Sequence, residues 1–266
     1  MPLVDFEKHV TDREVPRLAA SCLGSIATKS GPKSGEIQRE IINTLLRALN
    51  VTRNILSRDA SMARSVAAVL HALALAVNEC RVPNFNPAVP PPPSLFGTLA
   101  RLTALGTVDK PDLPAHLATL PNTTSDSELS DSDAGDRFQF WKVRLHALNV
   151  LQALVRTGGV AHFVQFWPQL LPASVTSPPP HLCAIISTDP VHKVRGAALQ
   201  LLQVMVDGSS KYLVLVDDTQ STVAKSFTPL SRTLGAVVRT LHHVLLQVLA
   251  TELRANTLLQ LLKVGV

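Results

Sequence analysis

The side chains that could do chemistry are sparse, and their spacing argues against a reaction centre. His242 and His243 are sequence neighbours, so on a helix their rings point about 100° apart and cannot close on one metal ion. Asp217 and Asp218 form an acidic pair in a predicted loop, but a hard cation needs more oxygens than their neighbourhood supplies. Asp189 precedes Pro190, and helix capping accounts for an Asp-Pro start without a catalytic carboxylate. Cys22, Cys80 and Cys183 lie far apart and make neither a Cys-x-x-Cys nor a Cys/His ligand set. They read as buried free thiols of a reducing compartment. No HExxH, no GxSxG and no phosphate-cradling glycine loop occurs. The expectation is therefore a non-enzyme, with no catalytic, cofactor-binding or metal-ligating residues and no cofactor.

What remains is charge. Arg144, Lys193 and Arg195 stand at the starts of two similar amphipathic segments. They are candidates for partner contact, or for a ladder that pairs with the capping acids of neighbouring repeats. Thr123, Ser125 and Ser130 each have an acid three residues on, the spacing acidophilic kinases favour, so they are candidate phosphosites. Pro87 to Pro90 spells PxxP, which serves an SH3-type groove or, more simply, spaces two helices.

The elements that must position these residues read as helices. Hydrophobic residues make up 46% of the chain but aromatics only 4%, and a Leu/Val/Ala-rich, aromatic-poor chain favours packed helices over a β-sandwich. Val15–Thr28 should bury Leu18, Cys22, Leu23, Ile26 and Ala27 on one face. Glu36–Asn50 should bury Ile37, Ile41, Leu45, Leu46 and Leu49. Ser61–Glu79, with Asp59 as N-cap, is Ala-rich and suits close helix contact, and Ser94 could cap Leu95–Leu105. Ala161–Leu171 reads as a helix broken or kinked at Pro168. Tyr212–Val216 reads as a short helical or extended connector, and Thr228-Pro229 opens a final pair, about Leu230–Leu253 and Asn256–Lys263.

Between them, residues 109–137 change character. The run NTTSDSELSDSDAGD carries almost no large apolar side chain and cannot offset its ordering entropy, so a disordered linker is expected there. The domains are then 1–108, N-terminal helices; 109–137, the linker; and 138–266, a second helical unit. That unit stops at Val264-Gly265-Val266 without a polar capping repeat, as a truncated array would, leaving the last helix an uncovered apolar face.

Trp141 to Arg156, WKVRLHALNVLQALVR, returns about fifty residues on as KVRGAALQLLQVMVD. Lys142, Val143 and Arg144 align with Lys193, Val194 and Arg195, and Ala147, Leu148, Leu151, Gln152 and Val155 with Ala198, Leu199, Leu202, Gln203 and Val206. In the first copy Val143, Ala147, Leu148, Leu151, Leu154 and Val155 share the apolar face. Arg144, Asn149, Gln152 and Arg156 share the polar one. Gly158–Gly159 should end the first copy and Asp207-Gly208 the second.

Asp189-Pro190 followed by Val194-Arg195 and a Leu-rich helix is similar to the HEAT repeat. More finely, VPRLAASCLGSIA (15–27), SDSELSDSD (125–133), WKVRLHALNVLQALV (141–155) with FWPQLLP (166–172), and 187–213 through SFTPLSRTL (226–234) to LHHVLLQVLATE (241–252) resemble the family of HEAT repeat-containing protein 6. The resemblance implies an all-α fold, an α-solenoid of stacked HEAT/armadillo-like antiparallel helix pairs, with a domain of unknown function from about Phe138. Members of that family are much longer, which implies that this sequence matches a portion of one. The resemblance carries no catalytic residues.

The expected function is a scaffold or adaptor that recognises protein partners, including acidic segments, along a helical-repeat surface. The alternative is a basic, nucleic-acid-associated solenoid. A net charge of +5 and pI near 9.4 attract anions in general, and no aromatic platform is interleaved with basic residues, so nucleic acid ranks second. The N-terminus lacks an apolar signal region, and no apolar run suffices for a bilayer span. No membrane or small-molecule substrate is expected, and the expected place is intracellular, cytoplasmic or nuclear.

Overall fold

The structure is a computed structural model that describes residues 14–30, 35–56, 62–79, 93–105, 140–158, 170–171, 181–218, 228–252 and 255–264. All the regular elements among them are helices. In chain order these are α1 (Glu14–Lys29), α2 (Gly35–Leu56), α3 (Ala63–Glu79), α4 (Pro93–Thr103), α5 (Trp141–Gly158), α6 (Leu182–Thr188), α7 (His192–Asp218), α8 (Thr228–Thr251) and α9 (Ala255–Lys263). The 109–137 segment, Asp59, the PxxP run, Cys80 and all but the end of the predicted 161–171 helix lie outside the described residues.

Contacts follow an alternating order. The odd-numbered helices touch in succession, α1 on α3, α3 on α5, α5 on α7 and α7 on α9. The even-numbered ones flank them: α2 packs on α3, α4 on α5, α6 on α7 and α8 on α9, while α6 also meets α8. One continuous core runs from Ala20 to Leu261, and because α3 and α4 both pack on α5 it joins the helices before and after the 109–137 segment.

Helix α5 is enclosed on several sides. Every predicted apolar position, Val143, Ala147, Leu148, Leu151, Leu154 and Val155, is buried, and so are Val150 and Ala153. The helix has α3, α4 and α7 around it, so more than one stripe must be apolar. Arg144, expected on its polar face, is buried as well.

Helix α1 departs from expectation. Its buried stripe is Pro16, Ala20, Gly24 and Ala27, whereas Leu18 and Ile26 are about half exposed, at 54% and 49%, and Cys22 is exposed. Size decides this. A Cβ at Gly24 would sit 3.2 Å from both Cα and Cβ of Ala72, so α1 approaches α3 almost backbone to backbone through small residues. Large side chains on that face would hold the helices apart. Similarly Ile37 of α2 is exposed at 54%, although Ile41, Leu45 and Leu49 are buried as the periodicity requires.

Helix boundaries also moved. Helix α4 begins at Pro93, which places Ser94 inside its first turn, since a proline suits a position whose amide needs no partner. Helix α7 runs unbroken through Asp207, Gly208 and Tyr212–Val216 to Asp218. A lone glycine costs a helix only about 1 kcal/mol, too little to stop one that continues to propagate. Asp217 and Asp218 are thus the last two residues of a helix and not part of a loop. His181 caps α6, its Nδ1 accepting the Ala184 amide at 3.0 Å, a start signal that lists of Ser, Thr, Asp and Asn miss. On α9, Leu259 and Leu262 are exposed at 55% and 58%.

Candidate functional site

The two aligned arginines perform the same task at successive junctions. Arg144, in the first turn of α5, is fully buried. Its Nε donates to Asp189 Oδ2 at 2.8 Å and its Nη2 to Oδ1 at 3.2 Å, a bidentate fork. Its Nη1 donates to the Leu105 carbonyl at 3.0 Å, just beyond the end of α4. Arg195, in the first turn of α7, donates from Nε and Nη2 to Glu252 Oε2 at 3.0 and 2.7 Å. Its Nη1 donates to the Asp189 carbonyl at 2.8 Å.

The equivalence extends to the acceptors. Asp189 immediately follows α6 and Glu252 immediately follows α8, and each closes its helix with an amide bond to the residue four back, Ile185 at 3.1 Å and Val248 at 2.8 Å. Each arginine therefore grips the carbonyl at the junction of its own helix pair and the carboxylate at the junction of the next. The first pair is the drier one, with side chains 0% and 1% exposed, against 17% and 5% for the second.

Asp189 does more than receive Arg144. Its Oδ1 accepts the Val191 amide at 2.9 Å, and the Val191 carbonyl accepts the first amides of α7, from Val194 at 2.9 Å and Arg195 at 3.1 Å. Val191 is thus the capping position, and Asp189 makes a side-chain turn two residues earlier rather than capping α7 itself. Because Pro190 has no amide to offer, the carboxylate reaches the next one along.

On the outside of the same junctions lies a basic and aromatic patch. Lys142 Nζ stands 5.6 Å from the centroid of the half-buried Trp141 ring, and Lys193 Nζ, from the start of α7, stands 5.9 Å from it. Both lysines are exposed. Sequence order separates Trp141 from Lys193, so only the packing of α7 on α5 brings these residues together. One turn along α5, His146 stacks at a tilt on His71 of α3, with centroids 4.8 Å apart. Its Nδ1 is buried and has no hydrogen-bond partner among the described residues. Burial, then the nearby His71 and Lys142, push the His146 imidazole down to about 4.

The remaining residues with chemical potential are dispersed. His242 and His243 are both exposed on α8. Burial pushes the Cys183 thiol up to about 11, suiting an inert core thiol, whereas Cys22 is exposed and contradicts the expected burial of every cysteine. Among the described residues no group of three or more His, Cys, Asp or Glu could hold a metal, and no helix is long and apolar enough to cross a membrane. Thr123, Ser125 and Ser130 lie outside the described residues. The aligned Lys-x-Arg segments were visible in sequence. The Leu105 carbonyl, Glu252 and the joint Trp141–Lys193 contact were not, since each depends on helices far apart in the chain.

These features define a chain whose regular elements, among the described residues, are all helices and in which repeated arginine contacts join successive helix pairs. Residues 142–265, which carry both arginines and both carboxylates, match the family model described as a domain of unknown function (DUF4042). The chain is 28% identical over 88 residues to an uncharacterized protein of Dictyostelium discoideum. That alignment covers 33% of this chain and 6% of the other protein's length. No solved structure matches the chain.

Proposed function

We propose that the chain is a non-enzymatic scaffold or adaptor, built as an α-solenoid of HEAT/armadillo-like helix pairs, that binds protein partners along its helical surface. The observation that carries this reading is the repeated arginine contact. The same three donors of Arg144 and Arg195 reach equivalent acceptors at successive junctions, as expected of stacked, near-equivalent units. The alternating contact order of the helices supports it too. Repeats of this kind extend a surface instead of enclosing a pocket, and partners dock along such surfaces.

Affinity purification of the chain, with mass spectrometry and reconstitution of each candidate from purified components, tests the proposal. A protein that binds the chain directly and without turnover is the expected result. A chain that binds no protein, but binds RNA or DNA with an affinity that falls steeply with salt, would replace this reading with the nucleic-acid one.

A further inference from the structure

With their guanidinium groups turned inward, Arg144 and Arg195 leave the outward charge of these junctions to lysine. Lys142 and Lys193 occupy the same position, the second residue of their helices, and both are exposed. Neither helix has an acid in its first turn. Cations there oppose the helix dipole. Both ammoniums lie within 6 Å of one indole centroid, which limits their separation to about 12 Å. The local field is felt beneath the surface, where Lys142 helps to disfavour the charged form of His146.

We propose that Trp141, Lys142 and Lys193 form a contact patch for an acidic peptide segment of a protein partner, with carboxylates at alternate positions. Charge complementarity selects an acidic occupant. Spacing admits an extended one: alternate residues of an extended chain lie roughly 7 Å apart, inside the limit of about 12 Å between the ammoniums, so successive carboxylates can reach both. The indole contributes its apolar surface and holds both lysines in place. Because cations already engage that ring, it is poorly suited to stack a nucleobase, which favours peptide over nucleic acid. This patch rests on the scaffold reading and gives it a specific partner chemistry.

The test titrates the full chain into a fluorescently labelled peptide of alternating Glu and Ser and follows anisotropy at low and physiological salt. The intact chain should bind, more weakly as salt rises. Lys142→Glu with Lys193→Glu should weaken binding at least about tenfold while the thermal transition does not fall, since acids suit a helix N-terminus better than lysines do. Lys142→Ala with Lys193→Ala should weaken it less, and provides the comparison if the double reversal does not fold. The proposal is overturned if the intact chain ignores the peptide, if neither double variant loses affinity, or if a single-stranded oligonucleotide binds more tightly than the peptide. A partner protein bound directly, and equally well by the wild type and both lysine variants, would also overturn the patch while leaving the scaffold reading in place.

Discussion

Arg144 ties the start of α5 to the Leu105 carbonyl after α4 and to the Asp189 carboxylate before α7. A buried carboxylate whose cation is removed retains its desolvation cost and loses its compensation, so Arg144→Ala should destabilise the fold by about 3–5 kcal/mol. Arg144→Lys should recover only part of that, because one ammonium cannot reproduce the fork to Asp189 and also reach the Leu105 carbonyl. Arg195→Ala should cost less, since its side chain is 17% exposed and water can compensate. Urea denaturation of the three variants provides the ranking. A pH dependence belongs at this scale too. The imidazole of His146 is held below its ordinary 6.5, at about 4, so the unfolded chain binds the proton more readily than the folded one. Stability from this group is intact above 6.5 and is lost as pH falls towards 4. His71 of α3 and Lys142 of α5 sharpen the loss by repelling the added charge. Between pH 7 and 5 the fold should lose about 1–2 kcal/mol through His146, and His146→Phe should lose correspondingly less over the same interval. Equal losses in the two proteins would remove His146 from the account.

At the scale of elements, periodicity located the helices well and their faces unevenly. Helix α5 buried its predicted positions because α3, α4 and α7 pack around it. Helix α1 did not, because a pattern of hydrophobicity is blind to size, and Ala20, Gly24 and Ala27 gain more by close approach to α3 than Leu18 or Ile26 would by burial. Two glycines turn this into a test. Gly24→Val places a branched side chain where a Cβ alone already sits 3.2 Å from Ala72, and should cost about 1–3 kcal/mol. At Gly196 an added Cβ meets nothing within 4 Å, so Gly196→Ala should stabilise the protein by about 1 kcal/mol through helix propensity alone. Thermal melting of the pair should move in opposite directions. The site was legible to the same partial degree. Aligned Lys-x-Arg starts and an Asp-Pro turn can be read locally, and so can the Asp189 carbonyl six residues before Arg195, but the two carboxylates and the Leu105 carbonyl come from junctions 39 to 57 residues away. No local pattern marks Glu252, which reads in sequence as one more surface acid.

Over the whole molecule, the repeated arginine contacts divide labour between inside and outside. Each one binds consecutive helix pairs together, and the basic charge left at the surface of those junctions is Lys142 and Lys193 beside Trp141. If the proposed patch binds a partner, recognition and cohesion are separable. A variant that loses the lysines should keep its fold, and one that loses an arginine should lose stability before it loses any surface. The most direct test of this division is a double-mutant cycle on Arg144→Ala and Asp189→Ala, read by urea denaturation. Asp189→Ala alone also sacrifices the Val191 amide contact, and the cycle isolates the pair from that loss. The account predicts a coupling of about 2 kcal/mol or more between the two residues. Additive losses, with Arg144→Ala leaving the denaturation midpoint where it was, would contradict it.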